Sequence, residues 1–289
     1  MLKVLGLGDN VCDKYLHSGY MYPGGQALNF AVYAKLLGAD ASYMGVFGTD
    51  EVAKHVIATL DELKVEHSRC RQYEGENGYA VVNLVEGDRV FVTSNKGGVA
   101  KEHPIVLDCK DKCYLSGFDL IHTSNNSHFD RQLAAAAQLE VPISYDFSGQ
   151  WGDPEKTAEI CKYIDFGFLS CGSLPSEEVH TICRKLHQQG CKIVVATCGS
   201  RGAILYDGIR FFTQPPELVK AVDTLGAGDS FATSFLLSFT QAKKSNTERM
   251  HTDRMFFEEA VQTALRRAAS FAAKTCLVNG AFGMGKKFA

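Results

Sequence analysis

Asp223-Thr224-Leu225-Gly226-Ala227-Gly228-Asp229-Ser230-Phe231 is the stretch from which the rest of this 289-residue chain can be read. The apolar pair Ala221-Val222 runs into it, three small residues turn the chain at 226–228, and a helical pattern follows with Asp229 in its first turn. Small residues let backbone N–H groups approach a ligand, and a helix N-terminus adds aligned donors with partial positive charge. Such a turn suits a multiply charged anion, phosphate above all. A carboxylate beside an anion site is electrostatically odd, and a general base aimed at a phosphate acceptor accounts for it. The plain alternative is a glycine-rich loop whose Asp is favoured by the helix dipole. That explains a bare Gly-x-Gly-Asp better than it explains the whole string.

Three further segments supply what such a turn needs. Gly8-Asp9-Asn10-Val11-Cys12-Asp13-Lys14-Tyr15 puts polar groups directly after the first strand-like segment, and Asp13 can accept hydrogen bonds from two sugar hydroxyls. Asp and Asn are also ordinary turn formers, so this segment taken alone is ambiguous. In Pro23-Gly24-Gly25-Gln26-Ala27-Leu28-Asn29 the glycines allow a ligand to touch backbone, and Asn29 brings a donor and acceptors from the first helix turns. Thr197-Cys198-Gly199-Ser200-Arg201-Gly202 follows an apolar strand, Ile193–Ala196, as many glycine-rich turns do; its place before Asp223 gives it meaning.

Together these segments resemble the ribokinase/PfkB family of carbohydrate kinases, over nearly the whole chain from Gly8 to Gly280-Ala281. The resemblance implies an anion hole at Gly226, Ala227 and Gly228, with Asp229 as catalytic base. It implies sugar contacts at Asp13, Gly24, Gly25 and Asn29, with Arg89 a contact for a carboxylate on the acceptor. Thr197, Gly199, Gly202 and Thr275 would approach the nucleotide. ATP and Mg²⁺ are the implied cofactors, with K⁺ in many members. At the helix N-terminus, Asp229 is expected to stay ionised and therefore weakly basic. A loose phosphoryl-transfer transition state, which asks mainly for positioning, tolerates that.

Two departures stand out. Gln26 follows the second glycine where the family usually has Asn. The family's Asn-x-x-Glu is missing: Ser170-Cys171-Gly172-Ser173 occupies its place, with Glu177 and Glu178 beyond, so the metal contacts stay unassigned. Within the family the likeness is to fructosamine kinases, through Gly8-Asp9-Asn10-x-x-Asp13-x-Tyr15, Asp88-Arg89-Val90-Phe91, Asp146-Phe147-Ser148 with Trp151, and Ala272-Ala273-Lys274-Thr275. That likeness implies phosphorylation of a primary hydroxyl, O6 of a fructosamine such as fructoselysine. Ribose, fructose, a keto-sugar acid or adenosine are alternative acceptors, and a non-catalytic sugar or nucleotide sensor is the alternative outside enzymes.

The remaining pattern fits an α/β chain. Lys3 to Gly8, Ala41 to Phe47, Leu120–Thr123, Pro142–Phe147, Asp165–Leu169 and Lys192–Thr197 read as strands, each followed by helical spacing. Tyr79–Val85 and Arg89–Thr93 form a hairpin about Glu86-Gly87-Asp88, and Ala203–Tyr206 with Ile209–Thr213 a second about Asp207-Gly208. Helices are predicted over Asp229–Gln241 and Met255–Thr275, with polar Lys243–Arg254 as an exposed loop. The expectation is one ribokinase-like domain over 1–289, a mostly parallel central sheet flanked by helices on both faces, with a small β lid from parts of 10–24 and 76–98. Exposed lid edges can pair between copies, which points to a homodimer.

Composition narrows the classes. With 30 basic and 33 acidic residues the formal charge is −3, which argues against nucleic acid as partner. No apolar run approaches a membrane span and no signal-peptide pattern opens the chain, so a cytoplasmic location is expected. Ten scattered cysteines read as reduced core residues, and Cys109-Lys-Asp-Lys-Cys113 lacks the second pair of a zinc site. Asp165-Phe166-Gly167 imitates a protein-kinase motif, but no His-Arg-Asp loop precedes it, and no P-loop motif occurs.

Overall fold

The computed structural model describes residues 1–85 and 88–288, and for residues 84, 85 and 88–91 the backbone alone. The expected turn at Glu86-Gly87 therefore lies outside the described residues. In chain order the strands are β1 (Lys3–Gly8), β2 (Val11–Tyr15), β3 (Tyr20–Gly24), β4 (Asp40–Phe47), β5 (Arg71–Gln72), β6 (Gly78–Val85), β7 (Asp88–Ser94), β8 (Leu120–Ser124), β9 (Ile143–Asp146), β10 (Phe166–Ser170), β11 (Ile193–Thr197), β12 (Ala203–Tyr206), β13 (Phe211–Gln214) and β14 (Lys286–Lys287). The helices are α1 (Gln26–Leu36), α2 (Glu51–Glu62), α3 (Val99–Glu102), α4 (Cys109–Leu115), α5 (Leu133–Ala137), α6 (Pro154–Cys161), α7 (Ser176–Gln188), α8 (Ala227–Ser245), α9 (Thr247–Thr252) and α10 (Arg254–Thr275).

Nine strands form the large sheet in the order β13-β12-β11-β10-β9-β8-β1-β4-β5. Every pair from β5 to β11 is parallel, and the β12–β13 hairpin closes one edge antiparallel. Strands buried on both faces read as apolar runs, which is why Ile193-Val194-Val195-Ala196 is legible without alternation. One face packs Leu5, Leu7, Ile121 and Val194 against Leu115, Leu133, Ile160, Val179 and Leu186 of α4 to α7. The other packs Val4, Leu120, Phe166, Phe168 and Val195 against Phe30 of α1, Phe235 of α8 and Val261 and Leu265 of α10. Alternate residues of each strand thus feed opposite layers.

A second sheet of five strands, β14-β3-β2-β6-β7, is mixed: β2 runs parallel to β6 and antiparallel to β3. It draws on the two segments expected to build the small β structure and adds β14 from the far end of the chain. Cys12 and Met21 anchor it on Leu28, Val52, Val56 and Leu60 of α1 and α2.

Two expectations about elements fail. β11 is followed by a 3-10 turn at Gly199–Arg201 and then by β12, not by a helix. The polar segment before α10 is the second. Lys243–Arg254 is helical rather than a loop: Lys243 to Ser245 complete α8, and Thr247–Thr252 form α9. A single apolar side chain, Met250, is buried against the layer of α8 and α10 and holds the short helix down. One anchor among polar residues leaves no periodicity to read, so the polarity that suggested a loop is α9's outer face. All ten cysteines are free thiols. Among the described residues no helix is long and apolar enough to cross a membrane.

Candidate active site

The site begins with how α1 starts. Gly25, its N-cap, has φ of 109° and its side-chain position would lie 2.9 Å from Asn10 Cα, so only glycine fits and no capping side chain is available there. Asp9, at the end of β1, supplies the cap from a distance. Its carboxylate accepts the N–H groups of Gln26 (2.8 Å) and Ala27 (3.1 Å) and the hydroxyls of Ser124 (2.9 Å) and Ser127 (3.1 Å). The start of α1 is thereby fixed to the C-terminal ends of β1 and β8. This is where ligands sit in open α/β sheets.

One turn into α1, Asn29 is 3% exposed. Its Nδ2 donates to Oδ2 of Asp229 at 2.5 Å, while its Oδ1 is buried with no hydrogen-bond partner among the described residues. A buried acceptor left open is a place for a donor from outside the chain. Across from it, Asp13 on β2 is 5% exposed. Gly24, paired opposite β2 at Val11, leaves the space between them: a side chain there would begin 3.0 Å from Asp13 Oδ2 and 3.9 Å from Asn29 Oδ1. Asp13, Gly24, Gly25, Asn29 and Asp229 therefore converge, although Asp13 and Asp229 lie at opposite ends of the sequence. Arg89 is the exception. Its backbone is on β7 opposite Leu84, nearer the hairpin tip than Ala80, the partner of Asp13, and its side chain lies outside the described residues.

Asp229 enters from α8. Gly226 is the N-cap in the left-handed conformation (φ 74°), and a side chain there would begin 2.3 Å from the Tyr33 hydroxyl. Ala227 and Gly228 open the helix, and none of the described residues lies within 4 Å of where a Gly228 side chain would start. In this first turn the Ala227 N–H donates to Thr224 O at 3.3 Å, whereas the N–H groups of Gly228 and Asp229 have no partner within the helix. Burial pushes the Asp229 carboxyl up to about 6, the Asn29 amide pulling it down and the Asp9 charge adding to the rise. Asp229 therefore stays ionised at neutral pH, as expected, but is more basic than the helix dipole alone implies. The dipole's contribution is of order 1 kcal/mol, and desolvation in the crowded cleft floor exceeds it.

A second carboxylate shares this floor. Asp146 closes β9, 7% exposed, and accepts the Ser148 N–H at 2.6 Å. Burial first, then the Asp229 charge, push it up to about 7, while the Ser148 N–H and the Gln26 side chain pull it down. Gln26 is the departure from the family's usual Asn; its Oε1 accepts from Asn126 Nδ2 at 2.9 Å. Nothing in the sequence singles out Asp146 or Asp9 as site residues. The available signal was an apolar strand ending in Asp, which ordinary turns share.

On the other side of the 226–228 turn lies a cavity of ≈ 340 Å³. Thr197, Gly199 and Gly202 line it with Pro215, Leu218 and Ala272, and Ala227 and Gly228 at the start of α8 belong to the same lining. Gly199 leaves open space, as Gly228 does. Thr197 is held by its hydroxyl bond to Leu169 O at 3.2 Å. Thr275 stands apart from the cavity: it is 6% exposed and its hydroxyl donates to Phe271 O at 3.1 Å, while Ala272, Ala273 and Cys276 of the same turn do line it. An apolar-walled cavity ending in open N–H groups fits a nucleotide with its phosphates at the turn. Among the described residues no three His, Cys, Asp or Glu side chains converge to hold a metal. A divalent cation here would be carried chiefly on nucleotide phosphates.

The profile of the pfkB family carbohydrate kinases matches residues 3–284. The chain is 41% identical over 285 residues to the fructosamine kinase FrlD of Bacillus subtilis (strain 168), covering 98% of this chain and 94% of that protein. It is 30% identical over 237 residues to the fructoselysine 6-kinase of Escherichia coli (strain K12), covering 81% of this chain and 88% of that one. Among solved structures, a ribokinase from Giardia lamblia superposes with a TM-score of 0.81 at 17% identity, over 99% of this chain and 98% of that one. A fructokinase with bound ATP from Xylella fastidiosa superposes with a TM-score of 0.77 at 18% identity, over 98% and 94%. The large sheet, the converging motifs and these likenesses agree: the chain belongs to the pfkB family of carbohydrate kinases.

Proposed function

We propose that this kinase transfers the γ-phosphoryl group of ATP to O6 of a fructosamine such as fructoselysine. The observation that carries the reading is the 2.5 Å bond from Asn29 to Asp229, which joins the Gly24-Gly25 segment to the Gly226–Asp229 turn. The names of the two relatives above support the acceptor. Asp13 and the open Oδ1 of Asn29 hold sugar hydroxyls, and Gly24 and Gly25 let the sugar lie against backbone. Asp229 accepts the O6 proton as the O6–phosphorus bond forms and the bond to the ADP oxygen breaks. A carboxyl near 6 is ionised at neutral pH and a better base than an ordinary Asp. The first-turn N–H groups of Gly228 and Asp229, on a turn that Ala227 closes by its own bond to Thr224 O, stabilise charge on the transferring group.

When bound, ATP supplies the electrophilic phosphorus and Mg²⁺ offsets its charge. Thr197, Gly199 and Gly202 line the place for the nucleotide, and Thr275, between the lining residues Ala273 and Cys276, bonds back to Phe271 O in its own helix. We infer that the five-stranded sheet serves as a lid that closes on the acceptor and excludes water, within a single domain. Its outer strands β7 and β14 leave edges that support a homodimer, which light scattering would measure. The deciding experiment is ADP release against a panel of fructoselysine, fructose, ribose, a keto-sugar acid and adenosine. Fructoselysine is expected to give the highest kcat/KM; a neutral sugar or nucleoside ahead of it overturns the acceptor, and no ADP release with any of them overturns the kinase reading in favour of a sensor.

A further inference from the structure

Asp223, the first residue of the motif, sits where three parts of the molecule meet. Its Oδ1 accepts the Leu225 N–H at 3.0 Å, folding the chain into the Gly226 turn. Its Oδ2 accepts the Tyr15 hydroxyl at 2.6 Å and the Gly280 N–H at 3.0 Å. Tyr15 is the last residue of β2, and by the alternation of a strand it shares a face with Asp13. Gly280 leads into the segment that ends in β14, which pairs with β3. Beside it, the Tyr33 hydroxyl donates to Ala281 O and stands against Gly226. The small sheet therefore reaches the anion turn by two routes, both ending on one carboxylate.

The Tyr15 ring gives the first route stiffness. It is 5% exposed, with its edges on Tyr22 (5.2 Å between centroids) and His17 (5.6 Å). A shift of β2 that brings Asp13 onto a sugar must move the Tyr15 hydroxyl with it. That hydroxyl holds the residue whose other oxygen shapes the approach to Gly226. Hydrogen bonds to a carboxylate are short and directional, so they transmit position.

We propose that Tyr15 is a positioning residue which, through Asp223, couples occupancy of the acceptor pocket on β2 to the geometry of the phosphate-binding turn at 226–228. The inference rests on the reading above that Asp13 faces the acceptor, but not on which sugar the acceptor is. Two sites joined this way have a reciprocal coupling, so bound sugar tightens the nucleotide as much as bound nucleotide tightens the sugar.

The test uses Tyr15→Phe, which keeps the ring and removes only the hydroxyl, with Asp223→Asn as an independent second variant. Calorimetry gives the affinity for AMP-PNP with and without saturating acceptor, the acceptor being whichever of fructoselysine, fructose or ribose the wild type phosphorylates. The wild type is expected to bind AMP-PNP more tightly with acceptor present. In Tyr15→Phe that enhancement should shrink about fivefold or more, with affinity for acceptor alone within about twofold and kcat lowered at nearly unchanged acceptor KM. An enhancement that survives in both variants overturns the coupling, as does its absence from the wild type. A fall in melting temperature and in both binary affinities with the enhancement intact marks Tyr15 as structural only and also overturns it. If fructose or ribose replaces fructoselysine as acceptor, the substrate reading fails while the same comparison still decides the coupling.

Discussion

Asp229 carries two opposed demands, and they make it the most informative residue to change. Asp229→Ala is expected to bind sugar and nucleotide yet lose about 10²–10⁴-fold in kcat, the span of general-base contributions; near-normal turnover in a steady-state assay would remove it as the base. Because its carboxyl is raised to about 6, kcat/KM should fall as pH drops through that value and the base becomes protonated. Asn29 donates to the ionised form, so Asn29→Ala should move this acid limb to higher pH, measurable in a pH–rate profile. Stability follows the opposite sign. A carboxyl whose folded value lies above its unfolded one stabilises the fold while protonated, fully below about 4, and loses that contribution as pH rises through about 6. Asp229→Asn should therefore melt higher than wild type at pH 7.5, by about 1–2 kcal/mol after allowance for partial exposure, and this gain should vanish by pH 4. Asp13→Ala should raise the acceptor KM about tenfold or more, the loss expected for hydrogen bonds to a charged group, while the ATP KM stays within about twofold; equal effects on both would detach Asp13 from the acceptor.

At the scale of elements, α1 and α8 matter through how they begin. α8 announces itself, because Gly226-Ala227-Gly228-Asp229 is a local signal: a left-handed N-cap followed by an acidic first turn. Gly226→Ala forces a side chain into a conformation it resists and against the Tyr33 hydroxyl. A destabilisation of about 1–3 kcal/mol is expected, with a lower kcat, checked by thermal melting and turnover on the same preparation. α1 hides its cap. Gly24-Gly25 reads as a place for ligand contact, and Gly25 is equally a position where the Asp9-Asn10 link between β1 and β2 comes too close for any side chain. The side chain that caps α1 is Asp9, and nothing in the spacing between Asp9 and Gln26 signals this. Asp9→Ala should cost about 1–2 kcal/mol as a lost cap, seen as a lower melting temperature. α9 was illegible for another reason: one buried methionine has no periodicity.

The molecule as a whole places its chemistry at a seam. Strand order brings β1 and β8 side by side and sets β9 to β11 beyond them, so the acceptor residues and the nucleotide cavity open at the same sheet end, with α8 starting between them. By itself the sequence determined the alternation of strands and helices, the parallel sheet and the turn at 226–229, because these rest on signals confined to a few neighbouring residues: apolar runs, turn glycines, an acid in a first turn. Tertiary structure alone decided that Asn29 touches Asp229, that Asp9 caps a helix starting well beyond it, that Asp146 shares the floor, and that β14 completes the small sheet. Each of these joins residues far apart in the chain, where one sequence carries no record of proximity. The basicity of Asp229 belongs with them: the helix dipole is written in the local sequence, but burial, which outweighs it, comes into being only when distant segments close around the side chain.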